Sequence, residues 1–274
     1  MIRDVWASNL EQEIREISEL LPEYSFVSMD TEFPGVVAKP VGNMRANDYQ
    51  YQTLRCNVDI LKIIQLGITL TDKEGNRPPN VSTWQFNFQF SLKDDMYNKD
   101  SIDLLTSCGL DFDRHENEGI DVMKFGEIVT CSGLVINPSI SWVSFHSGYD
   151  FGYFLKVLSN MKLPEKESEF FELLDIFFPC IYDIKYILKL TPNLKGGLQD
   201  VADDLGVKRI GAQHQAGSDS LLTAETFFKL VKVHFDDQID NSKFKGILFG
   251  LGQTAFTSNG QSVSSLSYDD SIKA

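Results

Sequence analysis

Asp30 and Glu32 stand two residues apart inside an otherwise apolar run, FVSMDTEF (26–33). Side chains of an extended strand alternate faces with a period of two, so Ser28, Asp30 and Glu32 project to one side and Val27, Met29, Thr31 and Phe33 to the other. Two carboxylates on one face repel, and burying them without a counter-charge costs several kcal/mol. The arrangement makes sense with a cation between them, and oxygen-only ligands favour magnesium or manganese over a closed zinc site. An isolated D-x-E is most often a pair of solvated acids on a half-exposed strand, so the pattern needs support from elsewhere in the chain.

Two more acids sit where the chain changes direction. Asp150, in FHSGYDFGYF (145–154), follows the apolar run SWVSF and opens a helical pattern. Asp219, in HQAGSDSLLT (214–223), falls in the first turn of a long helix whose stripe includes Leu221, Ala224, Phe228, Val231 and Phe235. Free N–H groups and the dipole at a helix start favour an anionic side chain, so each of these acids alone reads as a cap or dipole partner. His214 lies five residues before Asp219, on the loop feeding that helix. An imidazole, with an unperturbed pKa of about 6.5, can take a proton near neutrality, although a single loop histidine is usually ordinary surface.

The elements that must position these groups follow from periodicity. Leu10, Ile14, Ile17 and Leu21 recur at helical spacing and predict a helix over about 4–21, stopped by Pro22. The acid-bearing strand comes next, then a polar, glycine-containing insertion from Gly35 to Leu54. Ile64, Leu66, Ile68 and Leu70 alternate as a second strand; after the turn-forming DKEGNRPPN (72–80), Trp84, Phe86, Phe88 and Phe90 alternate as a third. Three sequential strands predict an antiparallel meander. Beyond about residue 94 helices alternate with short strands: helices near 99–107, 120–134, 150–161, 165–177, 183–190, 197–205 and 216–235, and buried strands at 141–145 and 180–183. Meander first and helix–strand alternation after implies an α/β domain with a mixed sheet. One domain over 1–256 is expected, followed by a Ser-, Asn-, Gly- and Asp-rich flexible tail at 257–274.

A chain of 274 residues with 42% hydrophobic content can bury one large core. Its formal net charge of −14 argues against a protein that coats nucleic acid non-specifically, and alone would favour a small-molecule enzyme or an interaction module. Acids that hold divalent cations invert the local charge, however, so a metal-dependent nuclease stays open. Cys56, Cys108, Cys131 and Cys180 form no C-x-x-C pair and suggest a reducing compartment. The charged N-terminus is no secretory signal, and no apolar stretch approaches the roughly 20 residues of a membrane span. A soluble intracellular protein with no membrane partner is expected.

Four acids and a histidine in this order match the DEDDh class of RNase-H-like 3′-to-5′ exonucleases. Longer strings extend the likeness: MDTEFPGVV (29–37), TWQFNF (83–88), FHSGYDF (145–151), NLKGGLQ (193–199) and RIGAQHQAGSDSLLT (209–223), with IRDVW (2–6) and FGLG (249–252) near the ends. The chain resembles the poly(A) ribonucleases of the Caf/Pop family, the exonuclease subunits of the CCR-NOT deadenylase complex. The resemblance implies an RNase-H-like α/β fold and 3′-to-5′ shortening of mRNA poly(A) tails with release of 5′-AMP. It also implies two divalent ions, Mg2+ or Mn2+, a CCR-NOT scaffold subunit and a second deadenylase subunit as partners, and a cytoplasmic and nuclear location. Carried over residue by residue, it makes Asp30, Glu32 and Asp219 ligands of one metal, with Asp30 shared and Asp150 holding the second, and His214 the general base. A general RNA or DNA exonuclease with the same acids, and a mainly scaffolding subunit, are the competing readings.

Substrate contacts are less marked. Between Ile184 and Gln199 lie Lys185, Lys189 and Lys195 with no acid, and Asn193, Lys195, Gly196 and Gly197 would let backbone approach a phosphate. Lys195 and Gly196 are the candidate substrate-binding residues, although lysines on a helix face are more often simply solvated. His146 reads as a structural hydrogen-bonding group, His115 in the charged run DRHENE as surface, and the Trp84–Phe90 series as core.

Overall fold

The computed structural model describes residues 2–42 and 46–252; the expected tail at 257–274 lies outside the described residues. Among these residues six strands form one sheet: β1 (Ile2–Val5), β2 (Phe26–Glu32), β3 (Gln65–Thr71), β4 (Thr83–Asn87), β5 (Ser141–Ser144) and β6 (Ile181–Asp183), in the order β1-β4-β3-β2-β5-β6. β2, β3 and β4 make the expected antiparallel meander. β5 and β6 add parallel strands beside β2, and β1 lies parallel to β4 at the other edge.

Among the described residues eleven helices surround the sheet: α1 (Leu10–Leu20), α2 (Ala46–Ile60), α3 (Lys99–Ser107), α4 (Phe112–Glu118), α5 (Val122–Thr130), α6 (Gly148–Ser159), α7 (Glu167–Phe177), α8 (Ile184–Ile187), α9 (Leu198–Asp204), α10 (Ala216–His234) and α11 (Asn241–Phe244). A 3-10 turn over Leu188–Leu190 continues α8. Three expectations are corrected. The helix expected from residue 4 is shorter, because Ile2–Val5 pairs with β4 as a strand too brief to leave a period of its own. The second half of the polar insertion folds into α2: Tyr51, Leu54 and Val58 recur at helical spacing, diluted by polar neighbours, and are buried. DRHENE lies within α4, where His115 is buried against Trp6 and Phe112, so it is core and not surface.

The two faces of the meander differ in chemistry. Met29, Ile68 and Trp84 stand side by side in register, as do Val27 and Leu70, and this face joins the main core with residues of α1, α2, α5, α6 and α7. On the opposite face the aligned rows are Ser28, Thr69 and Thr83; Asp30, Gly67 and Gln85; and Glu32, Gln65 and Asn87. Alternation of this kind ordinarily means one wet face. Here α10 lies across β2 and β3 and buries the polar rows, so Asp30 and Glu32 are only 3% and 2% exposed.

Candidate active site

A helix can seat on a polar face only if that face is satisfied, and the first turn of α10 does this for the sheet. Its free N–H groups at Ala216 and Gly217 donate to Gln65 Oε1 (3.2 Å) and Gln85 Oε1 (2.9 Å), side chains that rise from β3 and β4. Gln85 Nε2 donates in turn to Asp4 Oδ1 and to Gln215 Oε1, which ties β1 and the start of α10 to the same lattice. One turn further on, Ser220 Oγ lies 2.9 Å from Thr69 Oγ1. Close seating also needs a gap in the sheet. Gly67, paired with Asp30, supplies it: a Cβ there would fall 1.8 Å from the Ala216 carbonyl oxygen.

Asp219, the fourth residue of α10, is thereby lowered onto β2. Carboxylate oxygens of Asp30, Glu32 and Asp219 lie within 4.8 Å of one another, all buried. Arg209 Nη1 donates to Asp219 Oδ1 at 2.7 Å while its Nε donates to Gln199 and Nη1 also reaches Ser218 Oγ. The other oxygen, Asp219 Oδ2, is buried and makes no hydrogen bond. A bare carboxylate oxygen within a trio of acids fits a divalent cation, since desolvating that much negative charge without one is strongly unfavourable.

Asp150 reaches the same strand by another route. It is the third residue of α6 and is not one of the three that converge. β5 pairs with β2 only as far as Ser28, and beyond that point the Thr31 N–H and Oγ1–H both donate to Asp150 Oδ1, at 2.9 and 2.6 Å. Asp150 is therefore locked to the residue between Asp30 and Glu32. A charge-assisted pair of this kind fixes its orientation well.

His214 shares a small cleft with Glu32, lined also by Phe33, Ser101, Leu104 and Leu105. It adopts φ +58°, and His146, which likewise stands two residues before its helix, adopts φ +55°. Left-handed backbone in a residue other than glycine is uncommon and concentrates at functional sites. The backbone N–H of His146 donates to Asp183 Oδ1, in keeping with a structural role. Lys195 and Gly196 are exposed on the loop before α9, where the Gly196 carbonyl accepts from Lys185 Nζ.

A curated relative, the poly(A) ribonuclease pop2 of Schizosaccharomyces pombe, is 54% identical over 254 residues, 92% of this chain and 76% of its own length. The chain belongs to the CAF1 ribonuclease family. The CAF1 family model itself matches residues 5–127. The Mg2+- and Mn2+-bound form of S. pombe Pop2p superposes with a TM-score of 0.89 at 54% identity, covering 91% of this chain and 99% of that one. A chain from the structure of the yeast NOT1 MIF4G domain co-crystallised with CAF1 gives a TM-score of 0.77 at 36% identity, covering 91% and 96%. The six-stranded mixed sheet with flanking helices is thus the RNase-H-like α/β architecture expected from the sequence.

Arg209, Thr31 and the glutamines under α10 carry the geometry of this CAF1 family site, yet none stands out in the sequence. Arg209 sits within RIGAQHQAGSD, but a salt bridge that spans ten residues across a loop leaves no period. Gln65 and Gln85 read as the wet side of two alternating strands.

Proposed function

We propose that this protein is a metal-dependent 3′-to-5′ exoribonuclease that shortens mRNA poly(A) tails and releases 5′-AMP, acting from one domain over residues 1–256. The observation that carries the reading is the convergence of buried Asp30, Glu32 and Asp219, with one oxygen of Asp219 left bare. In this reading Asp30, Glu32 and Asp219 hold one Mg2+ or Mn2+ ion, and Asp30 and Asp150 hold a second. When bound, such a pair supplies Lewis acidity and neutralises charge developing at phosphorus. His214, facing Glu32 across the cleft, takes the proton of the attacking water. Phe33, Leu104 and Leu105 give the cleft apolar walls. The loop of Lys195 and Gly196 would contact the RNA backbone.

Membership of the CAF1 family, with a poly(A) ribonuclease among the relatives, supports the substrate. The likeness to a CAF1 crystallised with a NOT1 MIF4G domain supports docking on the CCR-NOT scaffold; a second deadenylase subunit beside it is part of the same proposal. Among the described residues no helix is long and apolar enough to cross a membrane; a role in cytoplasm and nucleus belongs to the same proposal. The test uses 5′-labelled RNA ending in adenosines. The purified chain should shorten it stepwise with Mg2+ or Mn2+ and leave it intact in EDTA. Equal degradation of mixed-sequence RNA or single-stranded DNA would point to a general exonuclease, and no shortening at all to a scaffold.

A further inference from the structure

Beyond the acids, the lysine-bearing stretch after β6 forms an organised surface. Lys189 Nζ stands 4.7 Å from the ring centroid of Phe249 and 5.4 Å from that of Tyr186; Lys185 Nζ lies 5.5 Å from Phe145 and 5.9 Å from Phe249. The His146 ring meets Phe249 edge-on at 5.0 Å. One buried carboxylate holds these parts together. Asp183 accepts at Oδ1 from the N–H groups of His146 (2.8 Å) and Lys185 (2.9 Å), and at Oδ2 from Phe249 N–H (2.9 Å). Three segments distant in sequence are therefore pinned to one side chain, while Lys189 is exposed and Phe145, His146, Tyr186 and Phe249 are half-buried.

Position relates this surface to the site. β2, β5 and β6 are adjacent and parallel, so their carboxyl ends lie along one edge of the sheet. Asp30 and Glu32 end β2, Asp150 follows β5, and the lysine cluster follows β6. Two strand spacings separate first from last, about 10 Å. Charge points the same way: in a chain of net charge −14, residues 184–199 carry three lysines and no acid. Cations set against half-exposed rings are what a single strand requires, phosphates meeting the charge and bases the rings.

We propose that Lys185, Lys189 and Phe249, with His146 at the ring edge, form a subsite for single-stranded RNA upstream of the bond being cut. This rests on the hydrolytic reading of the acid site. The subsite holds substrate that the acids do not touch, so it acts only on RNA long enough to reach past β5.

Lys189 is the residue to test, because its described contacts are ring faces and its loss opens no core. KM is measured for a di-adenylate, whose one phosphate is the one cut, and for an oligo(A) of about 20 nucleotides, longer than the ~4–16 that a single-strand groove spans. Lys189→Gln should raise the ratio of long to short KM about fivefold, and Lys189→Arg should restore most of it. The slope of log(kcat/KM) against log[KCl] for the long RNA should flatten by about 0.7, the loss of one phosphate contact. An active wild type matched by Lys189→Gln in both the KM ratio and the salt slope overturns the subsite and leaves the cluster to another partner, such as an acidic protein segment. Anisotropy of fluorescent oligo(A) in EDTA separates the two readings. Lysine-dependent binding by a wild type that shortens nothing would defeat the hydrolytic reading while keeping the subsite.

Discussion

His214 and His115 illustrate how differently one residue type is used in this chain. His214 stands on left-handed backbone and lines the same cleft as Glu32. On the proposed reading, replacing it by alanine removes the base but leaves the four acids, so turnover should fall roughly 10²- to 10⁴-fold while Mn2+ binding, read by calorimetry, is largely kept. A pH–rate profile that kept its acid limb in the variant would take the base role from His214. His115 is buried, with Nδ1 2.7 Å from the Phe88 carbonyl oxygen and its ring packed on Trp6 and Phe112. Burial holds its pKa below the usual histidine value, because the imidazolium is poorly solvated there. The unfolded chain takes up a proton below about pH 6.5 and the folded chain does not. The stability that His115 contributes is therefore complete above that pH and declines as pH falls toward the folded-state pKa. Urea midpoints measured from pH 7.5 to pH 5 should drop less steeply in His115→Gln than in the wild type, even though the variant starts about 1 kcal/mol lower for its lost packing and hydrogen bond. Parallel curves would show that His115 plays no part in the acid loss.

At the scale of elements, the seating of α10 decides whether the acids meet. The helix crosses β2 and β3 with its first turn bonded to Gln65 and Gln85, and Gly67 is the gap that admits it. A methyl group at Gly67 would lie 1.8 Å from the Ala216 carbonyl oxygen and 2.6 Å from the Gly217 nitrogen, both backbone atoms that cannot rotate away. Gly67→Ala must lift the start of α10 or bend β3, and either moves Asp219 off β2. Overpacking of this kind costs about 1–3 kcal/mol, and a displacement of about 1 Å at the reacting groups costs about 10² in rate. The expected result is a folded protein, by circular dichroism, whose kcat/KM has fallen about a hundredfold; wild-type activity would mean that the helix is not clamped there. Much of this scale was legible beforehand. The strand of Asp30 and Glu32, the meander and the helices carrying Asp150 and Asp219 follow from strong local periods. The burial of Thr69, Thr83, Gln65 and Gln85 does not, because an alternating strand looks the same whether its polar side faces water or a helix. α2 is hidden for the opposite reason, its core positions Tyr51, Leu54 and Val58 being too thinly spaced among polar neighbours to stand out.

Across the whole molecule, the site is assembled from segments that the chain keeps far apart: β2 near residue 30, the start of α6 near 150, and the Arg209–Asp219 unit near the end of the described residues. Local spacing can nominate each acid, but only the tertiary fold makes them one site, and the fold does so against their mutual repulsion. A cation bound between them relieves that repulsion and joins β2 to α10, so it should stabilise the entire domain by mass action. At a free Mn2+ concentration a hundred times its Kd the gain is about 2.7 kcal/mol, which for a domain of this size raises Tm by roughly 5–10 °C. On the proposed ligand set, Asp30→Asn removes both a ligand and a repelling charge. Its melting temperature in EDTA should therefore equal or exceed that of the wild type, whereas the increment on adding Mn2+ should disappear. Paired thermal scans of the two proteins in EDTA and in Mn2+ give all four values. An equal Mn2+ increment in Asp30→Asn would mean that the ion is held somewhere else, and a large drop in its EDTA value would mean that Asp30 serves the fold more than the cation.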